Sequence, residues 1–207
     1  MATIINAKTS AGGLAITPDT SGVIEFQSAG TTKAGVNATG LTGDGSQLTG
    51  LPAGGKIAQV LSATKTDTFS TTSATYVDVT GLSVAITPAA TSSKIYVMVT
   101  ISGSGQSGFK YRIVRGTTGI SVGTGSMSNR IPTTGGGSNR NYNELSNPSS
   151  NFLDSPSTSS AVTYKVQVYA NDNDGVTTAN INKTGNDTDN NVTPRTTSTI
   201  TVMEVAA

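Results

Sequence analysis

Residues 94–102 carry Ile95, Val97, Val99 and Ile101 at every second position, and residues 161–169 repeat the pattern with Val162, Tyr164, Val166 and Val168. A step of two places such side chains on one face of an extended strand, whereas a helix needs steps of three and four. Shorter pieces follow the same rule: Tyr76-Val-Asp-Val79, Leu82-Ser-Val-Ala-Ile86, and Phe109 with Tyr111 and Ile113. Ile120 with Val122 gives a weaker strand, residues 176–181 another, and residues 198–205 close the series. No stretch has helical spacing. About eight short strands separated by Gly, Pro, Asn and Ser turns predict an all-β chain, with an antiparallel β-sandwich or jelly-roll-like head over residues 56–207.

Composition narrows the chemistry. Only 12% of residues are charged and the net charge is +1, with Lys and Arg scattered singly. A nucleic-acid binder would show a basic stripe, and none is present, so no nucleic acid is expected as a partner. With no Cys and no His, the usual thiolate and imidazole metal ligands and the commonest general base are missing. No cofactor is expected. No apolar run approaches the roughly 18 residues of a membrane span, so membrane insertion is not expected. The start, Met1-Ala-Thr-Ile-Ile-Asn6, lacks the charged and apolar regions of a signal peptide.

The chain divides into three stretches. Residues 1–37 hold short alternating pieces around Leu14 with Ile16, residues 23–26 and residues 34–37. Each is too small to be stable alone. Residues 38–55 form a Gly-rich neck, with Gly40, Gly43, Gly45, Gly50, Gly54 and Gly55 and single leucines at Leu41, Leu48 and Leu51. Glycine permits close backbone approach, and isolated leucines of this kind can be buried only against copies of the same chain. The neck is therefore read as the seam of a homo-oligomer, with residues 1–37 as an intertwined stalk or anchoring segment. Residues 123–160 are the least regular part of the head, and Phe152 and Leu153 are expected to dip into its core.

Two motifs mimic nucleotide sites and fail on context. Gly50-Leu-Pro-Ala-Gly-Gly-Lys56 matches a phosphate-binding loop, but Ile57 stands where Ser or Thr is required, and a strand follows instead of a helix. Gly103-Ser-Gly-Gln-Ser-Gly108 matches a dinucleotide fingerprint yet leads into the alternation of Phe109-Lys-Tyr-Arg-Ile-Val114. It reads as a hairpin loop. Asp172, Asp174, Asp187 and Asp189 could offer oxygen ligands to calcium, but the position of a closing Glu is Ile181, and a solvated turn is the plainer reading. Asp154, Glu144, Asp172 and Asp174 are the acids available for a glycosidase pair, and nothing in the sequence brings two together. Asn37, Asn182, Asn186 and Asn191 sit in glycosylation sequons of a kind frequent by chance in a chain so rich in Asn and Thr. The remaining candidate is a binding loop, Asn139, Arg140, Asn141, Tyr142 and Asn143, which mixes amides, a guanidinium and a ring. Two long polar stretches, 129–147 and 182–195, are the expected recognition loops.

Several short segments have a family look in their order along the chain. They are Gly43-Asp-Gly-Ser-Gln-Leu-Thr-Gly-Leu-Pro52, Thr64-Lys-Thr-Asp-Thr-Phe-Ser70, Val79-Thr-Gly-Leu82 and Ile86-Thr-Pro88. Ser92-Ser-Lys-Ile95, Leu153-Asp-Ser-Pro156, Tyr164-Lys-Val-Gln167 and Ser198-Thr-Ile-Thr-Val-Met-Glu-Val205 continue the series. Together they resemble the C-terminal parts of tail-fibre and related receptor-binding proteins of tailed bacteriophages, of the marine and cyanobacterial type. Ile24-Glu-Phe-Gln-Ser-Ala-Gly30 resembles fibre-shaft sequence. The resemblance implies a homotrimeric, non-enzymatic virion protein. Its N-terminal segment would contact other virion proteins, and its β-rich head would meet a host cell-surface glycan or protein. At 207 residues the chain is short for a fibre. A capsid decoration protein or head fibril is the alternative, a glycan-degrading enzyme a more distant one, and a bacterial adhesin outside any phage the last.

Overall fold

The computed structural model describes residues 24–28, 31–37, 40–43, 57–105, 108–125, 130–138, 141, 143–172 and 175–206. The chain divides into two units, Met1–Pro52 and Ala53–Ala207. In the first, β1 (Ile24–Ser28), β2 (Thr31–Asn37) and β3 (Gly40–Gly43) form an antiparallel meander. Ile24 stands opposite Val36, and Val36 opposite Leu41, so Leu41 lies within a strand. Leu48 and Leu51 lie outside the described residues.

The second unit follows from the alternation. In β7 (Lys94–Thr100) Ile95, Val97 and Val99 are buried, and in β13 (Val162–Tyr169) Tyr164, Val166 and Val168 are buried. β17 (Ser198–Val205) buries every second residue from Ser198 to Glu204. With β4 (Ile57–Lys65) and β12 (Ser149–Asp154), β7 and β17 form a four-stranded sheet ordered β12-β7-β17-β4. The second sheet runs β10 (Thr118–Ile120), β9 (Phe109–Arg115), β13, β6 (Val77–Ile86), and β11 (Gly135–Gly137) continues the edge of β9 beside β10. Counting β10 and β11 as one position, the eight positions in chain order give 1-8-3-6 in one sheet and 2-7-4-5 in the other. This is the antiparallel double-Greek-key order of a jelly roll. No helix occurs among the described residues.

One apolar cluster joins the inward faces of both sheets, including Leu82, Ile86, Ile95, Val97, Tyr111, Ile113, Tyr164, Ile200 and Val202. Each such side chain removed from water stabilises the fold by about 1.5–3 kcal/mol. Two sequence expectations change here. Residues 76–79 and 82–86 are not separate strands but parts of β6. Asp78 pairs with Gln167 and Ser83 with Lys165, so residues 79–82 face Val166 alone, and Gly81 (φ 89°) carries the chain round this bulge. The slip lets Val79 and Leu82, three apart, both enter the core. Of Phe152 and Leu153, only Phe152 packs on the core, and Leu153 is exposed, because neighbours in a strand point to opposite faces.

The strand directions sort the loops. Residues 66–76, 101–108, 138–148 and 170–197 gather at the end opposite the one where Ile57 enters β4. That end carries a small sheet of β5 (Phe69–Thr71), β16 (Ala179–Ile181) and β8 (Gly103–Gly105). It also carries the paired β14 (Asn171–Asp172) and β15 (Gly175–Val176). Asn182, in the left-handed region at φ 62°, ties these pieces to the sandwich. Its Nδ2 donates to the carbonyls of Lys65 and Asp67, both at 2.9 Å, and its Oδ1 accepts from Ser198 Oγ at 2.7 Å. It is fully buried, so this sequon asparagine is structural and closed to a glycan.

Candidate functional site

The sheet β10-β9-β13-β6 presents a polar outer face, because the residues between its buried positions are Lys110, Arg112, Lys165, Gln167 and Tyr169, with Asp78 on β6. Register lines up Asp78, Gln167 and Arg112 across three strands. Gln167 Nε2 donates to Asp78 Oδ1 at 2.6 Å, Lys165 Nζ to Asp78 Oδ2 at 2.7 Å, and Arg112 Nε to Gln167 Oε1 at 2.7 Å. Partial burial of Asp78 pushes its carboxyl up, but the Lys165 and Gln167 hydrogen bonds outweigh this and hold it below the ordinary range.

Above that row lies an aromatic pair. The rings of Tyr76 and Tyr169 are 5.5 Å apart and tilted by 54°. The Arg112 guanidinium stacks on Tyr76 at 4.1 Å, and Lys110 Nζ stands 5.8 Å from the Tyr169 ring. Tyr76 Oη donates to the Pro132 carbonyl at 2.8 Å. Burial raises the Tyr76 hydroxyl above its ordinary value, so it stays a neutral donor. Pro132 also lines a hollow of about 270 Å³ formed by residues 123–125 and 130–133. The rings, the guanidinium and the hollow are therefore one continuous surface. Arg112 and Tyr169 sit on strands whose other faces are locked in the core, which preorganises them, while Tyr76 and the hollow lie on connecting segments held to them by the Arg112 stacking and the Tyr76–Pro132 bond.

Of the anticipated loop, Asn141 and Asn143 are described and lie at the same end. Asn139, Arg140 and Tyr142 fall outside the described residues. Asn141 Oδ1 accepts from the Asn143 amide at 2.8 Å, and its Nδ2 donates to Glu144 Oε1 at 2.8 Å, closing a local turn. Asn143 Oδ1 accepts from Asn186 Nδ2 at 2.7 Å, so the two long polar stretches named from sequence touch. What anchors this region is β11. A Cβ at Gly135 would lie 2.8 Å from Tyr111 Oη, and one at Gly137 would lie 2.5 Å from the Phe109 ring. The triple glycine is thus a strand laid flat on two buried rings, not an irregular spacer.

The acids are dispersed. Asp154 is buried and accepts from Arg115 Nη1 at 2.8 and 2.9 Å and from Tyr164 Oη at 2.6 Å. It lies at the end of the sandwich away from Glu144. Asp187 is paired with Lys183 at 3.2 Å and Arg195 at 2.7 Å. Asp174 lies outside the described residues, and no cluster of three His, Cys, Asp or Glu occurs among those described.

Sequence reading missed Tyr76, Lys110, Arg112, Gln167 and Tyr169. Part of their signal was present: Gln167 and Tyr169 are outward positions of the strongly alternating β13, and Lys110 and Arg112 of the shorter alternation in β9, whereas Tyr76 precedes β6 and carries no such mark. No known protein-family model matches the chain, and no curated protein matches it.

Proposed function

We propose that the protein is a tail fibre of a tailed bacteriophage, a structural and non-enzymatic virion protein that adheres to the host surface as a homotrimer. In this reading residues 1–37 contact other virion proteins, the neck with Leu41, Leu48 and Leu51 joins the three chains, and the jelly roll is the head. The observation that carries adhesion is the Tyr76–Arg112–Tyr169 surface beside the hollow. Aromatic faces stack on the apolar faces of sugar rings, while guanidinium and amide groups hydrogen-bond to hydroxyls. A surface glycan is therefore the favoured receptor class. The polar loops around Asn139, Arg140, Asn141, Tyr142 and Asn143 extend the contact, and three copies add avidity to weak single contacts.

The test is binding of the full-length protein to immobilised bacterial surface polysaccharides. Arg112→Ala and Tyr76→Ala should each weaken binding at least tenfold with an unchanged circular dichroism spectrum. Binding unaffected by both would remove this surface. Arg140→Ala with Tyr142→Ala asks the same of the loop. Immunogold labelling of virions separates a tail fibre from a capsid decoration protein by where the gold falls.

A further inference from the structure

The two outer faces of the sandwich differ in kind. The face described above carries Asp78, Lys110, Arg112, Lys165 and Gln167. On the outer face of the β12-β7-β17-β4 sheet the register aligns Leu153, Tyr96, Met203 and Val60 in one cross-strand row. Met98 flanks the row on one side, Val205 opposite Ile57 on the other, and Ser62 and Thr201 hydrogen-bond to each other at 2.9 Å on the same face. Ile57, Val60 and Leu153 are 50%, 52% and 46% exposed. Four of the five large hydrophobic side chains most exposed among the described residues belong to β4 and β12, the edges of this one sheet. An antiparallel sheet facing water normally alternates apolar with polar. Here the outer face is apolar along the Leu153–Val60 row and towards Ile57, and carries uncharged Ser149, Asn151, Thr100, Thr199, Thr201, Ser62 and Thr64 towards the other end.

We infer that this face seats a second copy of the chain, and that the head's self-association runs through the Leu153–Tyr96–Met203–Val60 row. The inference rests on the homo-oligomeric reading above and gives it a surface. Charge favours a copy over another partner: among the strands' outward residues only Lys94, at the rim, is charged, so three copies of the face can pack about a common axis without repulsion, and it offers nothing to a charged ligand. The opposite face would set Lys110, Arg112 and Lys165 against their like. Four strands about 4.8 Å apart and some seven residues long make roughly 450 Å² in projection. That is about half of the ~800 Å² per partner of a stable interface, and in the reading above the neck supplies the rest.

Sedimentation of the full-length protein tests it. The unmodified chain should be an oligomer at micromolar concentration. Val60→Glu with Met203→Glu, neighbours across β4 and β17, should remove the head's share of the association, weakening it at least tenfold while the neck remains, and keep the β-sheet spectrum. Lys165→Glu, on the other face, should leave association unchanged. Because the chain has no cysteine, single-cysteine labelling gives a second readout that does not load the face with charge. Ser62→Cys should react with a maleimide at least tenfold more slowly than Thr163→Cys. A monomeric unmodified chain overturns the oligomeric reading and this face with it. An oligomer that tolerates both glutamates, or labels equally at both cysteines, overturns the face alone.

Discussion

Asn182 is the position at which a single change should unfasten the loop end of the sandwich. Its side chain makes three hydrogen bonds, to the carbonyls of Lys65 and Asp67 and from the hydroxyl of Ser198, across 115, 117 and 16 residues of chain. Its backbone is left-handed. Asn182→Gly keeps that backbone easy and removes only the side chain. At about 1 kcal/mol for each buried hydrogen bond lost, it should cost about 3 kcal/mol. Asn182→Ala adds the left-handed penalty of an ordinary side chain, about 1 kcal/mol or more, for a total near 4 kcal/mol. Asn182→Asp turns the two donors into acceptors facing two carbonyls and should cost at least as much as alanine. A domain of this size shifts its midpoint by roughly 2–4 °C per kcal/mol, so the alanine variant should melt about 8–16 °C lower. Guanidinium titration of the full chain, followed by circular dichroism, reads the differences. A loss under about 1 kcal/mol for alanine, or a glycine variant less stable than alanine, would refute the reasoning.

Gly137→Ala should destabilise by about 1–3 kcal/mol, because its new carbon lands on the buried Phe109 ring and on the Cβ of Ser146; thermal melting checks it. Tyr164→Phe should cost about 1–2 kcal/mol in denaturant titrations, since it deletes the 2.6 Å bond to the buried carboxylate of Asp154 while Arg115 remains as partner. Glu204 is held below its ordinary 4.5, first by Gln59, then by Ser93 and the Ala89 amide, with burial opposing. A folded value below the unfolded one stabilises fully above pH 4.5 and is lost as pH falls through the lower folded value. Melting temperatures should therefore drop below that pH, and Glu204→Gln should show a shallower acid limb.

The strands could be read from the chain because their signal is local. Ile95 to Ile101 and Val162 to Val168 need only a face to be buried on. The order of the strands could not be read, because most pairings within the two sheets join distant segments: β4 with β17, β13 with β6, β12 with β7. The polar interior was illegible for the same reason. Asn182 and Glu204 look like solvated residues until their partners arrive from far along the chain. The bulge at Gly81 broke one strand into two apparent ones. At the candidate surface, Tyr76, Arg112 and Tyr169 are scattered across nearly a hundred residues and become neighbours only through register. The Asn-rich stretches announced themselves by composition, but their mutual contact through Asn143 and Asn186 did not.

The placing of β17 has a consequence for synthesis. β17 is made after both of its neighbours, yet it lies between them, β7 and β4, and brings Ile200 and Val202 to the core. Until a ribosome has passed Val205, β4 and β7 have no common neighbour, and each keeps an open edge. A prematurely terminated chain thus lacks the strand that joins the first and third positions of the sheet, and the apolar row loses Met203 from its centre. The topology therefore sets an order on closure: the sandwich cannot close, nor present its apolar row, until β17 has been translated and inserted between two strands made long before it.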